Sequence, residues 1–503
     1  MSDLVNTALT ATPLQPWRQL DSSSWTRQCF SAESFFSLFE VVADGTGQMP
    51  VFVTFDTNIV EAELVERVRN AWLSCHASMP HVAVAISDPN HEAEVSEVSS
   101  MTYTMLRSEA NAQEWLQDTF SVVRDKSAAD LQHALCQKPL ATRGRRSKLY
   151  LVVASKTDSG NASHYALLWH SSHVIIDAFS RQQLFDKLFR KVVAGRSGKP
   201  SMDSLDYSNV FDRLPVPIAS AYEAQLKPTE EQRQQGLKEI LTSSHLARSK
   251  MPEAIHLPFE QYGGDKGEAT CWRLELSVQQ TQDLLDEFRR ENLSITYAVS
   301  AAATLAIQQL YGRNGNAGAT LAISRHARRW IDTSLAPLAI DSVPLWVPFA
   351  QHWLQGEPTR EVVLEVGRRI KTELQPYLES PHYIAAIDYV VKPRLAAMMA
   401  APRDNRTAAS FSVSVSSQGI IHMEPEFRSR EHVIKTHGYH IAGRSTGANP
   451  WISINTFRGQ LRLRCDYHTS VFARNLMEKY AAQIKLNLDS ICSSLGRQTV
   501  GGV

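Results

Sequence analysis

The run Trp169-His-Ser-Ser-His-Val-Ile-Ile-Asp-Ala-Phe-Ser180 joins two periodicities that any fold of this chain must satisfy together. Before it, Leu149–Ala154 and His164–Trp169 read as buried strands. After it, Phe179, Leu184, Phe185, Leu188, Phe189 and Val192 recur at helical spacing. A chain in this order delivers His173 and Asp177 to the point where a buried strand gives way to an amphipathic helix. Strand ends of α/β folds are where catalytic groups gather. The spacing alone carries little, because 17 histidines with Asp at about one position in twenty produce roughly one His-x-x-x-Asp by accident. The chain holds that one.

At 503 residues the chain exceeds one ordinary core, so two domains are expected. Its composition, 43% hydrophobic and 21% charged, is that of a soluble globular protein. With 52 basic and 52 acidic residues, bulk charge draws it neither to nucleic acid nor to an anionic membrane. A small or neutral molecule is the expected partner. The cysteines (Cys29, Cys75, Cys136, Cys271, Cys465, Cys492) are scattered without a Cys-x-x-Cys pair, which suits reduced thiols in the cytoplasm. Met1–Pro16 lacks the basic-then-apolar order of a signal peptide. Leu293–Tyr311 has the length of a membrane span, but its Ser, Thr and Gln content and its many alanines favour a buried helix.

Along the chain, Phe35–Val42 and Val51–Phe55 read as strands around the turn sequence Ala43–Pro50. Helices are expected at Ile59–Ser74, Ala110–Ser121 and Ala128–Leu135. Residues 1–225 form a first domain. Residues 226–265, polar and proline-punctuated, read as a linker with one helix at Glu230–Leu241, ending in Tyr262-Gly-Gly-Asp265. Residues 266–503 form a second domain: strand Thr270–Leu276, helices Gln279–Glu291 and Thr296–Tyr311 with N-caps Ser277 and Ser294, then strand Ala319–Ser324. Strands Phe411–Ser416, Trp451–Phe457 and Gln460–Tyr467 follow, the last two joined at Arg458-Gly459, and a helix closes the chain from Val471 to Ile491. The fold class is α/β, two halves each with a mixed sheet and packed helices.

At neutral pH His173 can take a proton from an alcohol or amine attacking an acyl group and pass it to a leaving thiolate. Asp177 can orient the second ring nitrogen, or face away and pair with an arginine; both roles fit the residues. Arg143, Arg145, Arg146 and Lys148 could meet phosphates or form a solvated loop. His422, His432, His437 and His440 lack the spacing of a metal site. Packing is the default for His170, and Gly312–Gly318 is a turn without the Lys-Ser/Thr of a phosphate loop.

Ser172-His-Val-Ile-Ile-Asp-Ala-Phe-Ser180 resembles the His-His-x-x-x-Asp-Gly signature of the chloramphenicol-acetyltransferase-like superfamily. That superfamily includes peptide-synthetase condensation domains, plant-type acyl-CoA acyltransferases and fungal trichothecene O-acetyltransferases. Leu321-Ala-Ile-Ser-Arg325 with Arg328, Ser412–Gly419 and the closing strand and helix agree with it, so the resemblance runs from about Phe35 to Ile491. It implies two acetyltransferase-like domains with the active site in a tunnel between them. It makes His173 the general base and Asp177 the orienting residue, with Arg325 as the expected partner of Asp177 and Arg328 as the second choice. Ser172 stands at the first signature histidine and Ala178 at the glycine. These two, with Ser414 and Ser416, are candidates for lining the site.

The plant-type Asp-Phe-Gly-Trp-Gly motif is absent, and the chain is most similar to the fungal trichothecene 15-O-acetyltransferase type. The implied activity is acyl transfer, acetyl first, from acetyl-CoA or another acyl-CoA to a hydroxyl of a secondary metabolite such as a sesquiterpenoid. Acyl-CoA is then a co-substrate, with no tightly bound cofactor, no metal, no nucleic acid and no membrane, and the protein is expected to be a monomer. The alternatives are a condensation- or cyclisation-type enzyme acting on carrier-bound thioesters, or a non-catalytic metabolite-binding member.

Overall fold

A computed structural model describes residues 17–492, apart from residue 31 and the segments 88–98, 141–143, 154–164, 196–197, 199–201, 203–204, 259–266, 313–316, 333, 335, 355–358 and 385–410. Met1–Pro16, Arg143, Tyr262–Asp265 and most of the Gly312–Gly318 turn lie outside the described residues. Two six-stranded sheets organise the chain. The first runs Glu426–Arg428, Val433–His440, Met49–Thr57, Tyr165–Ser171, Ser147–Val153, Phe120–Val123. The second runs Ile340–Pro348, Gly318–His326, Val413–Ile420, Trp451–Phe457, Gln460–His468, Ala269–Glu275. A four-stranded sheet (Arg18–Asp21, Ser24–Gln28, Ser100–Thr104, Ala85–Ser87) flanks the first.

The first sheet is not built from the first half alone. Val433–His440 leaves the second half and pairs antiparallel with Met49–Thr57, joining His440 to Phe52 and Ile434 to Thr57. The halves therefore share backbone hydrogen bonds as well as packed faces. Each keeps its own core, one around Trp72, Trp115, Trp169 and Phe185, the other around Phe288, Leu305, Leu463 and Tyr480.

Strand alternation sets what the second sheet shows to the first half. Val413, Val415, Ile452 and Ile454 enter the second core, so Ser414, Ser416 and Trp451 point the other way, with Ser414 opposite Trp451 in parallel register. The hairpin at Arg458-Gly459 has φ of 51° and 77° at its two loop residues, the left-handed pair that a two-residue turn needs to follow strand twist.

Two expectations change, and a third holds. Phe35–Val42 belongs to helix Ala32–Val42. Its aromatic content mimics a strand, but its buried polar residues Glu33, Ser37 and Glu40 follow helical spacing, and Glu33 is tied to Arg27 at 2.7 Å. The expected linker helix runs Glu230–Lys250, opened by a Thr229–Gln232 capping box, and packs through Leu237 and Ile240. The membrane-length stretch is helix Ile295–Tyr311, buried from Tyr297 to Gln308, with Asn487 Nδ2 donating to the Ala302 carbonyl at 2.9 Å. No single helix among the described residues is long and apolar enough to cross a membrane.

Candidate active site

Strand Tyr165–Ser171 ends one residue before Ser172, and helix Ala178–Ala194 begins one residue after Asp177. His173 lies in the turn between them, 3% exposed. Its ring stacks on Phe36, centroids 4.2 Å apart and planes 6° apart, and faces Trp451 at 6.2 Å. Phe36 comes from the first half and Trp451 from the second, so the imidazole sits where the halves meet. Its Nδ1 is buried without a hydrogen-bond partner. Burial, then the nearby Arg181 charge, push the ring down to about 4 from an ordinary 6.5.

Asp177 braces the turn. It caps helix Ala178–Ala194, with Oδ1 accepting from Ser180 N at 3.0 Å. Arg328 spans the carboxylate, Nη2 to Oδ1 at 2.8 Å and Nη1 to Oδ2 at 2.7 Å, and Ala339 N donates to Oδ2 at 2.9 Å. These bonds commit the carboxylate to the second half, and none goes to His173. The expected partner, Arg325, is corrected to Arg328. On strand Gly318–His326, Arg325 shares the face of Leu321 and Ile323, so it turns into the second half, where its guanidinium lies 3.0 Å from the Tyr383 ring centroid and donates to the Tyr377 carbonyl. Arg328 lies beyond the strand end and is free to reach across.

Ser172, wholly buried, fixes the turn from its other side. Its hydroxyl donates to Glu40 and accepts from Val174 N at 3.0 Å. Glu40 also meets Arg146 at 3.5 Å and accepts from Gln48 Nε2 at 3.1 Å. Phe36 and Glu40 sit four apart on one helix, so a single helix face holds the His173 ring and its turn together. The phenylalanines of that helix give its sequence the look of a strand. Ala178 is half-buried at the helix start, and Ser414 and Ser416 are half-buried on the face that carries Trp451. Of the basic cluster, Arg146 joins Glu40 and Arg145 lies 3.6 Å from Asp118. His437 meets Asp56 at 2.8 Å, and His432 meets Glu63 at 3.7 Å.

A cavity between the halves is lined by Gln132, Cys136, Cys271, Arg273, Gly443 and Asp466, among others. A methyl group at Gly443 would stand 4.0 Å from both Met49 Cγ and the Trp451 ring. Gly443 thus stands between the cavity and the ring that faces His173.

His76 and His170, each 1% exposed, are pushed down to about 3 by burial first, as His173 is to about 4. In the unfolded chain such groups protonate near 6.5. Below that pH the unfolded state binds more protons, so stability falls as pH falls from 6.5 toward these lower values. Each such histidine costs roughly a factor of ten in the folding equilibrium per pH unit. Unfolding midpoints measured from pH 7.5 to pH 5 should decline, and a constant or rising midpoint would contradict this burial.

The chain is 27% identical to the acyl-CoA-dependent acyltransferase MAC1 of Mycosarcoma maydis, over 90% of this chain and 85% of that protein. It is 26% identical to MAC1 of Pseudozyma antarctica, over 97% of each. No protein-family model matches. Among solved structures, TRI3 trichothecene 15-O-acetyltransferase from Fusarium sporotrichioides superposes with a TM-score of 0.79 at 17% identity, covering 96% of this chain and 99% of that one. The starter condensation domain of rhizomide synthetase RzmA, solved with C8-CoA and Leu-SNAC, superposes with a TM-score of 0.58 at 11% identity, covering 93% and 94%. The chain is thus a relative of acyl-CoA-dependent acyltransferases, built on the chloramphenicol-acetyltransferase-like fold.

Proposed function

We propose that this protein is an O-acyltransferase that moves an acyl group, acetyl in the first instance, from acyl-CoA to a hydroxyl of a secondary metabolite such as a sesquiterpenoid. The observation that carries the reading is His173: an imidazole kept neutral by burial at the seam of the two halves, with Nδ1 unpartnered and no bond to Asp177. A neutral imidazole can take the acceptor proton, and the turn that carries it is fixed on both sides.

In this reading His173 removes the hydroxyl proton as the acceptor oxygen forms its bond to the thioester carbon. The carbon–sulfur bond then breaks, and the thiolate takes the proton from the imidazolium. Both reactants must be held at His173 together, acyl-CoA and acceptor entering a tunnel between the halves from opposite sides. Direct transfer needs no covalent enzyme intermediate, and Gly443-Arg-Ser-Thr-Gly447, which spells Gly-x-Ser-x-Gly, leads into strand Trp451–Phe457 and not into the helix of a nucleophile elbow.

The test is thiol release from acyl-CoA thioesters of graded length against hydroxylated terpenoids and polyketides. Acceptor-dependent release with ester formation is expected. Release only from carrier-bound thioesters would assign a condensation-type donor, and no turnover or thermal shift with any acyl-CoA would overturn acyl transfer.

A further inference from the structure

Arg181 is wholly buried, and among the described residues no carboxylate pairs with it. Its Nη2 reaches only the Met49 sulfur, at 3.7 Å, while Nε and Nη1 have no partner. The buried Tyr439 hydroxyl beside it is the one neutral polar side chain that interacts with its charge. A guanidinium carries five donors in a rigid fork, and burying it unpaired costs several kcal/mol. Arg27, Arg328 and Arg464, by contrast, each face a carboxylate at 2.7 Å.

Its position explains the exception. Arg181 lies in the first turn of helix Ala178–Ala194, eight residues after His173, and its charge is, after burial, the largest influence lowering that ring. Met49, which it touches, is paired with Ser171 at the strand end that leads to His173. Met49 also adjoins Gly443 and, through it, Trp451 and the cavity between the halves.

We propose that Arg181 is a catalytic residue whose free donors receive the carbonyl oxygen of the acyl thioester. This rests on the acyl-transfer reading above. When the acceptor oxygen bonds to the thioester carbon, the carbonyl π pair moves onto that oxygen, and Arg181 holds the resulting anion. Collapse returns the pair, breaks the carbon–sulfur bond, and the thiolate leaves with the proton that His173 took from the acceptor. A preorganised donor in a water-excluded site contributes most where charge develops during reaction. It needs no counter-ion of its own, which would neutralise it before the substrate arrives.

The test compares wild type with Arg181→Met and Arg181→Lys in acceptor-dependent transfer and in slow acyl-CoA hydrolysis, where water is the acceptor. Met should lower kcat by about 10²- to 10³-fold, the usual loss of one oxyanion donor, with acceptor KM little changed. Its melting temperature should hold or rise, because an apolar chain replaces an unpaired buried charge. Lys should fall between the two. Titration of the His173 ring by NMR should move upward in Arg181→Met, a readout that needs no turnover. A kcat within threefold of wild type, or an unmoved His173 titration, overturns the proposal. His173→Ala run in parallel separates the two claims: if it stays active while Arg181→Met is slow, the base assignment falls and this one stands.

Discussion

His173→Ala lowers acyl transfer by at least about two orders of magnitude while the protein stays folded, since a positioned base contributes roughly 10²- to 10⁴-fold. The ring is packed between Phe36 and Trp451, so its removal leaves a cavity, yet no ion pair depends on it. The loss should appear in kcat with acyl-CoA KM nearly unchanged, because the base acts on the acceptor proton and not on donor binding. His173→Gln, which fills more of the space without a basic nitrogen, should be equally slow. Retained activity in either folded variant would remove His173 from the chemistry.

Asp177 should behave in the opposite way, with a stability loss that precedes any kinetic one. Its carboxylate is 1% exposed, Arg328 is 11% exposed, and the pair joins helix Ala178–Ala194 to the second half with support from Ala339 N. Removing one partner of such a buried pair costs about 3–5 kcal/mol, because the other is left charged and unpaired. Asp177→Ala also loses the helix cap, a further ~1 kcal/mol, whereas Asp177→Asn keeps an acceptor for Ser180 N. Melting temperatures should therefore order as wild type, Asp177→Asn, Asp177→Ala. Arg328→Met with Asp177→Asn should be less destabilised than the sum of the singles. Additive singles would mean that the pair does not hold the halves together. Arg325→Met should leave Asp177 undisturbed.

How much of this was legible follows from where each interaction is encoded. The strand, turn and helix around His173 are local, and apolar periodicity reveals them to within two residues at most boundaries. Ser277, in the sequence Ser-Val-Gln-Gln, announces a capping box that the structure contains. Ser294 stands at its N-cap without a side-chain bond. What fails is long-range or inverted. Helix Ala32–Val42 buries its polar residues and is rich in phenylalanine, so composition points to a strand, and Glu40 and Phe36 go unnoticed. Strand Val433–His440 alternates buried Ile434 and Thr436 with exposed Lys435 and His437, yet nothing local says that it joins the other half's sheet. The choice between Arg325 and Arg328 turned on which one leaves the strand's alternation, a fact fixed by where Gly318–His326 ends. Arg181 could have been noticed as a cation one turn before Leu184 and Phe185 and two before Leu188, on the helix's buried face.

If His173 is a neutral base at working pH, the pH dependence of kcat/KM for acyl transfer will report it. An ordinary histidine base would lose activity about tenfold per pH unit below 6.5. With the ring pushed down to about 4, the free enzyme keeps its base unprotonated well below that. Between pH 7.5 and pH 6, where the fold is still intact, the wild-type profile should be flat. A fall in kcat/KM with a midpoint near 6.5, in protein shown to be folded at each pH, would contradict it.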